Sequence, residues 1–162
     1  MKRRSLLLAA GGLSPLLGVA TAAPAAAGQP VAWPELRLLD GGSFGARQAE
    51  GHAMVVVFWS VTCPFCRRHN QHVEKLHRQA RGRALKVLTV SRDRNPADVQ
   101  RYVQQQGYTF PITLDHALLS PLLASRNVIP LTVTITRKGL LDKAYPGEMF
   151  EEDVLELLQL AA

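Results

Sequence analysis

The chain has 162 residues, of which 47% are hydrophobic and 20% charged, and its formal net charge is +6 at pH 7. This length predicts a single domain, and the composition excludes collagen-like, disordered and multi-span membrane proteins. Only two cysteines are present, Cys63 and Cys66, which excludes a disulfide-stapled mini-scaffold and a four-cysteine zinc site.

The amino-terminal segment has the pattern of a secretory signal peptide. Lys2, Arg3 and Arg4 form a basic start, an apolar stretch follows over residues 6–20, and small residues with an A-x-A-like step follow at 25–27. The apolar stretch contains two glycines and a proline and is shorter than the roughly 20 residues that span a bilayer, so an uncleaved membrane anchor is the less favoured alternative.

We therefore expect residues 1–27 to be removed as a signal peptide and residues 28–162 to form the mature domain, in the periplasm or another exported compartment. The Arg3-Arg4 pair also resembles a twin-arginine signal, which leaves the export route open. Removal of this segment lowers the net charge from +6 to +3, so the basic composition does not indicate nucleic-acid binding.

Strand and helix patterns alternate along the mature chain. Residues 54–59 form an unbroken apolar run typical of a strand covered on both faces, and residues 64–81 show apolar positions at helical spacing. Further strands are predicted over 35–39, 85–90, 110–114, 131–136 and 140–145, and further helices over 96–106, 117–125 and 151–160. The alternation predicts a three-layer α/β/α domain with a mixed central sheet, whose last two strands form an antiparallel hairpin.

The cysteines lie where the buried strand over 54–59 gives way to the helix that starts at Pro64. Free backbone N–H groups and the helix dipole stabilise an anion at this position, so a thiolate on Cys63 is favoured and Cys63 is predicted to be the attacking sulfur. Cys66 lies one helical turn further and can resolve the mixed disulfide that Cys63 forms. Arg67 and Arg68 add local positive charge.

Two other interpretations of the pair remain open. A passive disulfide would close a loop so short that its stabilisation falls at the low end of the usual ~2 to 4 kcal/mol. A copper or zinc site could use Cys63, Cys66 and His69, which are spaced C-x-x-C-x-x-H. A c-type haem site is excluded because Arg67 occupies the position after the second cysteine.

The segment from Phe58 to Arg67, FWSVTCPFCR, with its apolar strand before and amphipathic helix after, resembles the thioredoxin superfamily. More narrowly it resembles the TlpA/ResA-like exported thiol:disulfide reductases, and the similarity covers roughly residues 33–160. The resemblance implies a thioredoxin-like fold with an amino-terminal β extension. It places Ile129-Pro130 at the family's cis-proline loop, where the backbone of Ile129 would pair with an extended substrate segment.

The resemblance also indicates which other residues form the site. We expect Pro64, Phe65 and Trp59 to contribute to substrate binding around the cysteines. His69 stands where some members of the family have a buried glutamate that handles protons, and a histidine that titrates near pH 6.5 could accept the proton of the resolving thiol. The alternative for His69 is a half-buried histidine bonded to backbone.

The predicted function is an exported thiol:disulfide oxidoreductase that uses Cys63 and Cys66 and no cofactor. Family resemblance favours a reductase in cytochrome c maturation or copper-centre assembly, with a protein or peptide disulfide as substrate and a membrane electron donor. We expect a monomer and no nucleic-acid partner. The alternatives are a metal (copper) chaperone, a DsbA-like disulfide oxidase, a thiol peroxidase and a binding module with an inert disulfide.

Overall fold

The computed structural model of the chain describes residues 26–124 and 126–162. Apart from its last two positions, the predicted signal peptide over 1–27 lies outside the described residues. Within the two described ranges, no helix combines the length and the apolar character that crossing a bilayer requires.

A mixed sheet of five strands forms the centre of the described domain. The strands of the chain are β1 (Leu36–Arg37), β2 (Ser43–Phe44), β3 (Ala53–Trp59), β4 (Leu85–Ser91), β5 (Ile112–Thr113), β6 (Leu131–Ile135) and β7 (Leu141–Pro146). The sheet order is β5, β4, β3, β6, β7, in which β3, β4 and β5 run parallel. β6 is antiparallel to β3, and β7 is antiparallel to β6. β1 and β2 form a separate antiparallel pair.

Helices lie between most of these strands and after the last one. They are α1 (Ala46–Ala49), α2 (Pro64–Gln79), α3 (Pro96–Gln106), α4 (His116–Leu123) and α5 (Glu151–Glu156), and a 3-10 helix over Leu157–Ala161 follows α5. α2 and α3 each begin with a proline, which fits the first helical turn because no N–H bond is needed there. Asn95 caps α3 by accepting a hydrogen bond from the Ala97 amide at 3.0 Å.

Strand β3 divides the core into two apolar clusters. All seven of its residues are buried, and successive side chains point to opposite faces of the sheet. One face carries Val55, Val57 and Trp59 and is covered by α2, α3 and α5 through residues that include Cys66, Val73, Val99 and Val154. The other face carries Met54, Val56 and Phe58 and is covered by α4 and the amino-terminal hairpin through Leu36, Phe44, Leu119 and Leu123. This arrangement confirms the predicted three-layer thioredoxin-like fold with its amino-terminal β extension.

Several element bounds differ from those predicted. Helix α2 ends at Gln79 rather than residue 81, and the terminal helix becomes a 3-10 helix after Glu156. The strands predicted over 35–39 and 110–114 shorten to two residues each. β2 and α1 were not predicted from the sequence, because elements of two and four residues are too short to show a period.

Glu74 is a buried carboxylate that joins α2 to the chain entering β5. Its oxygens accept hydrogen bonds from the Thr109 amide and hydroxyl, both at 2.7 Å, and from Arg78 Nε at 2.7 Å. Burial alone would raise the pKa of Glu74, but the bonds from Thr109 and Arg78 outweigh burial and lower the pKa below its ordinary value. The carboxylate therefore stabilises the fold in its charged form.

We predict that Glu74→Gln lowers the free energy of unfolding by about 2 kcal/mol at neutral pH, because an amide leaves donors of Thr109 or Arg78 unpaired. The folded-state pKa of Glu74 lies below the unfolded value, so this stabilisation is present above about pH 4.3 and is lost as the pH falls through the folded-state pKa. Urea unfolding of both proteins at a series of pH values measures the difference. Glu50→Gln, at an exposed position, is the control, and a difference that persists unchanged into acid would contradict the prediction.

Candidate active site

The two cysteines lie at the junction between β3 and α2. Cys63 is the N-cap residue of α2, and its Sγ accepts a hydrogen bond from the Cys66 amide at 3.1 Å. A disulfide joins the two residues, whose Cα atoms are 5.2 Å apart. The sulfur of Cys63 thus occupies the place where a helix start offers free N–H groups to an anion, as the sequence predicted.

The two sulfurs differ in accessibility. Cys63 is partly exposed, whereas Cys66 has no exposed surface. A substrate can therefore reach only Cys63, and Cys66 is placed to attack the Cys63 sulfur from within the protein. Pro64 and Phe65 are exposed beside them, and Phe65 retains 56% of its surface.

The charge around the pair is smaller than the sequence indicates. Arg68 donates two hydrogen bonds to Glu148, from Nε at 2.8 Å and from Nη2 at 2.6 Å. These bonds lower the pKa of Glu148 and keep the ion pair formed, so Glu148 offsets the positive charge of Arg68. The guanidinium of Arg68 also lies 5.2 Å from the centre of the Phe65 ring. This distance lies within the range of a cation–π contact.

The cis-proline loop lies against the same side of the core as the cysteines. The Ile129–Pro130 peptide bond is cis. Ile129 is partly buried and packs against both apolar clusters, one of which is the cluster against which Cys63 also packs. Within residues 26–124 and 126–162, the backbone N–H and C=O of Ile129 make no hydrogen bond to the rest of the protein. They are thus free to bind an extended peptide.

Trp59 lies beneath the redox loop and presents no side-chain surface to solvent. It is fully buried, and its ring lies 5.7 Å from that of Tyr102. A side chain in this position can act on a substrate only by supporting the redox loop, so its contribution to substrate binding stays a prediction. The side chain points into the core because β3 is covered on both faces to its last residue.

His69 is held by two hydrogen bonds that use both ring nitrogens. The Met149 amide donates to Nδ1 at 3.3 Å, which places the proton on Nε2, and Nε2 donates to the Thr132 hydroxyl at 2.8 Å. Burial first, and then the nearby His72, lower the pKa of His69 to about 4. The predicted proton transfer from Cys66 finds no support in this arrangement, because the ring is neutral at pH 7 and has no free acceptor. His69 instead ties α2 to β6 and to the chain before α5.

Asn70, one turn after Cys66, has the free hydrogen-bonding capacity that His69 lacks. It is fully buried, and neither its amide nitrogen nor its amide oxygen has a partner among the described residues. Side chains four residues apart on a helix are neighbours. A buried amide without protein partners is the kind of group that binds ordered water.

The sequence analysis missed Asp93, which holds the loop before the cysteines. Its carboxylate accepts hydrogen bonds from the Val61 amide at 2.9 Å and from the hydroxyls of Ser60 and Ser91 at 2.9 and 2.7 Å. Asp93 follows β4, the parallel neighbour of β3, so both strands end at the same edge of the sheet. Parallel strands that are neighbours in a sheet bring the residues after their carboxyl ends close together. An acidic residue just after the second buried strand was therefore the signal in the sequence that could have identified Asp93.

A mixed sheet of this order, with a C-x-x-C pair at a helix start and a cis-proline loop beside it, defines a thioredoxin-like thiol:disulfide oxidoreductase. The AhpC/TSA family model matches residues 22–142, and the chain belongs to this family. The chain is 31% identical to thiol-disulfide oxidoreductase ResA of Halalkalibacterium halodurans, over 75% of this chain and 69% of that protein. It is 27% identical to ResA of Geobacillus thermodenitrificans, over 75% of this chain and 70% of that protein.

Solved structures show the same fold. A thiol:disulfide interchange protein of the thioredoxin family from Chlorobium tepidum superposes with a TM-score of 0.73 at 20% identity, covering 84% of this chain and 97% of that one. StoA from Bacillus subtilis superposes with a TM-score of 0.67 at 20% identity, covering 84% and 98%. The sequence relatives together with the Cys63–Cys66 pair establish that the chain is a thiol:disulfide oxidoreductase.

We predict that the His69 ring stays neutral, with its proton on Nε2, as the pH is lowered from about 8 to about 5, because burial lowers its pKa to about 4. NMR of the ring nitrogens measures this directly, and the His69→Gln variant assigns the signals. A protonation midpoint near the ordinary value of about 6.5 would contradict the prediction and restore a role in proton transfer.

We predict that Asp93→Asn slows the attack of Cys63 on a neutral peptide disulfide about tenfold. An amide offers one acceptor oxygen where the carboxylate binds three donors, so the loop at Ser60 and Val61 loses its fixed position. Stopped-flow measurement of mixed-disulfide formation gives the rate. Asp98→Asn is the matched control, because Asp98 binds Asn95 and Arg101 on the surface of α3. Equal rates for the two variants would refute the positioning role of Asp93.

Proposed function

We propose that the protein is an exported thiol:disulfide reductase that acts through Cys63 and Cys66. The observation that carries this proposal is the asymmetry of the pair: the sulfur of Cys63 is accessible at the N-cap of α2, and Cys66 is buried one turn behind it. Ile129, whose backbone has no hydrogen-bond partner among the described residues, then provides with the exposed Pro64 and Phe65 the surface on which a substrate peptide lies.

The reaction consists of two exchanges. The Cys63 thiolate attacks one sulfur of a substrate disulfide, which forms a mixed disulfide and releases the other substrate sulfur as a thiolate. The Cys66 thiolate then attacks the Cys63 sulfur, which forms the Cys63–Cys66 disulfide and releases the second substrate thiolate. Two electrons pass from the protein to the substrate. The two released substrate thiolates take up two protons, which balance the protons that Cys63 and Cys66 lost when they became thiolates. An external dithiol must reduce the pair again before the next cycle.

The export proposal comes from the amino terminus. Residues 1–27 carry the charge and apolar pattern of a signal peptide, and we assign residues 28–162 to the mature thioredoxin-like domain. An oxidising compartment such as the periplasm would keep an unattended thiol pair oxidised, so a reductase there needs a dedicated supply of electrons. A membrane-bound electron donor meets that need.

The substrate class is a protein or peptide disulfide, and the protein acts as a monomer. Within the family that the sequence resembles, reductases serve cytochrome c maturation or copper-centre assembly, and one of these is the proposed cellular role. The relatives named thiol-disulfide oxidoreductase ResA support the disulfide substrate, and the cellular role rests on the family resemblance alone.

The alternative of a copper or zinc chaperone is weakened by one feature of the site. His69, the third ligand that this alternative requires, uses both ring nitrogens in hydrogen bonds to Met149 and Thr132. Metal binding would break at least one of these bonds and turn a buried side chain outward. Stoichiometric copper or zinc on the purified reduced protein would nevertheless favour the chaperone.

We predict that Cys63→Ser abolishes disulfide reduction, whereas Cys66→Ser accumulates a mixed disulfide with the substrate, because only the second exchange needs Cys66. Mass spectrometry of the trapped species and turnover of a peptide disulfide distinguish the two variants. The reduction potential of the wild-type pair is expected near about −270 mV, the value of a reductase; a potential near about −120 mV would show an oxidase instead.

A further inference from the structure

A cavity of about 480 Å³ lies beside the cis-proline loop, and the proposed reaction does not use it. Its floor is apolar and includes Phe58 and Leu131, which are buried in the sheet. Its rim is formed by the exposed segment 126–128 and by Arg92. A cavity of this size, apolar within and polar at the mouth, has room for a side chain of a bound peptide together with its neighbouring backbone.

The cavity is next to the redox site. Ile129 lines it and also packs against the cluster that Cys63 contacts. The backbone N–H of Arg92 donates to the Trp59 carbonyl at 2.9 Å, and the next residue, Asp93, holds the Val61 amide. A peptide that pairs with Ile129 while its cysteine meets Cys63 can therefore extend toward the mouth of the cavity.

The charge of the cavity is positive. Arg92 and Arg126 both line it, and among the described lining residues none is an aspartate or a glutamate. Nη2 of Arg92 is held by the side-chain oxygen of Asn127 at 2.6 Å, a neutral partner that orients the guanidinium and leaves its charge uncompensated. Neither arginine forms an ion pair within the part of the chain that the structure describes.

His116 also lines the cavity. Its ring lies 5.8 Å from that of Phe58, edge to face. Burial first, and then the charge of Arg92, lower the pKa of His116. A neutral histidine here can hydrogen-bond a ligand, and the positive charge of the cavity comes from the two arginines.

We propose that this cavity is a specificity subsite that binds an acidic side chain, glutamate or aspartate, of the protein substrate close to the reacting cysteine. Arg92 and Arg126 bind the carboxylate, and the apolar floor packs against the methylene carbons of the same side chain. This inference rests on the proposed function, because it concerns how the substrate of that reaction is chosen. Charge complementarity points to an acidic peptide, since an aliphatic or basic side chain would leave both arginines unpaired in the contact.

The test uses pairs of short peptide disulfides that are identical except for one glutamate or glutamine. Because an extended strand rises about 3.3 Å per residue, the glutamate is placed in turn at each position within about four residues of the cysteine, on either side. We expect the glutamate peptide to react about fivefold to tenfold faster in kcat/KM than its glutamine partner at one or two of these positions, and the preference to fall with added salt.

The variants locate the effect in the cavity. Arg92→Gln together with Arg126→Gln should remove the glutamate preference, so that the glutamate and glutamine peptides react at equal rates. Arg94→Gln is the matched control, because it removes an exposed charge two residues from Arg92 that does not line the cavity. The charge reversals Arg92→Glu and Arg126→Glu together should transfer the preference to a lysine peptide, an outcome that a purely structural role would not produce.

Equal rates for glutamate and glutamine peptides at every position, or a loss of preference in Arg94→Gln as large as in the double variant, would overturn the subsite. The ratio of kcat/KM for the glutamate and glutamine peptides can be measured for reduction of the peptide disulfide or for oxidation of the peptide dithiol. Both reactions pass through the same mixed disulfide. A result showing an oxidase would therefore overturn the proposed direction and leave this test intact.

Discussion

The hydrogen bond from the Cys66 amide to the Cys63 sulfur is the contact on which the whole site depends. It exists because α2 begins between the two residues, so that the first sulfur takes the place of a capping oxygen. The same helix start separates the roles of the pair, since the cap residue lies at the surface and a residue one turn later lies beneath the helix. Reactivity and burial are thus consequences of one position in the fold.

Holding this position requires that neither β3 nor α2 moves. β3 is buried on both faces and cannot shift without exposing both apolar clusters. α2 is tied to its surroundings along its whole length: Arg68 to Glu148, His69 to Thr132 and Met149, and Glu74 to Thr109. The buried hydrogen bonds of His69 and Glu74 stabilise the position of α2 most, because exposed ion pairs such as that of Arg68 contribute little stability. Asp93 holds the loop between the strand and the helix.

The substrate is selected by the cis-proline loop and the arginines beside it, which lie near the start of α2. The cis-proline loop carries the unpaired backbone of Ile129, and the arginines beside it provide charge without a protein counter-ion among the described residues. Chemistry and selection are therefore divided between two parts of the fold. The cysteine pair defines the reaction. Substitutions in the segment around residues 126–131 or at Arg92 can change which substrate is bound without altering the sulfurs.

Local patterns in the chain were enough to predict the buried strand β3, the helix after it, the capped start of α3 and the placement of both cysteines, because each depends on neighbours a few residues apart. Elements of two to four residues escaped prediction, since they carry no period. Only tertiary packing determined three features of the site. They are the burial of Trp59, the hydrogen bonds of His69 to Thr132 and Met149, and the hydrogen bond from the Val61 amide to Asp93. These contacts join residues 32 to 80 positions apart, and the order of strands in the sheet brings them together. No local pattern encodes which side chain will meet another across two layers.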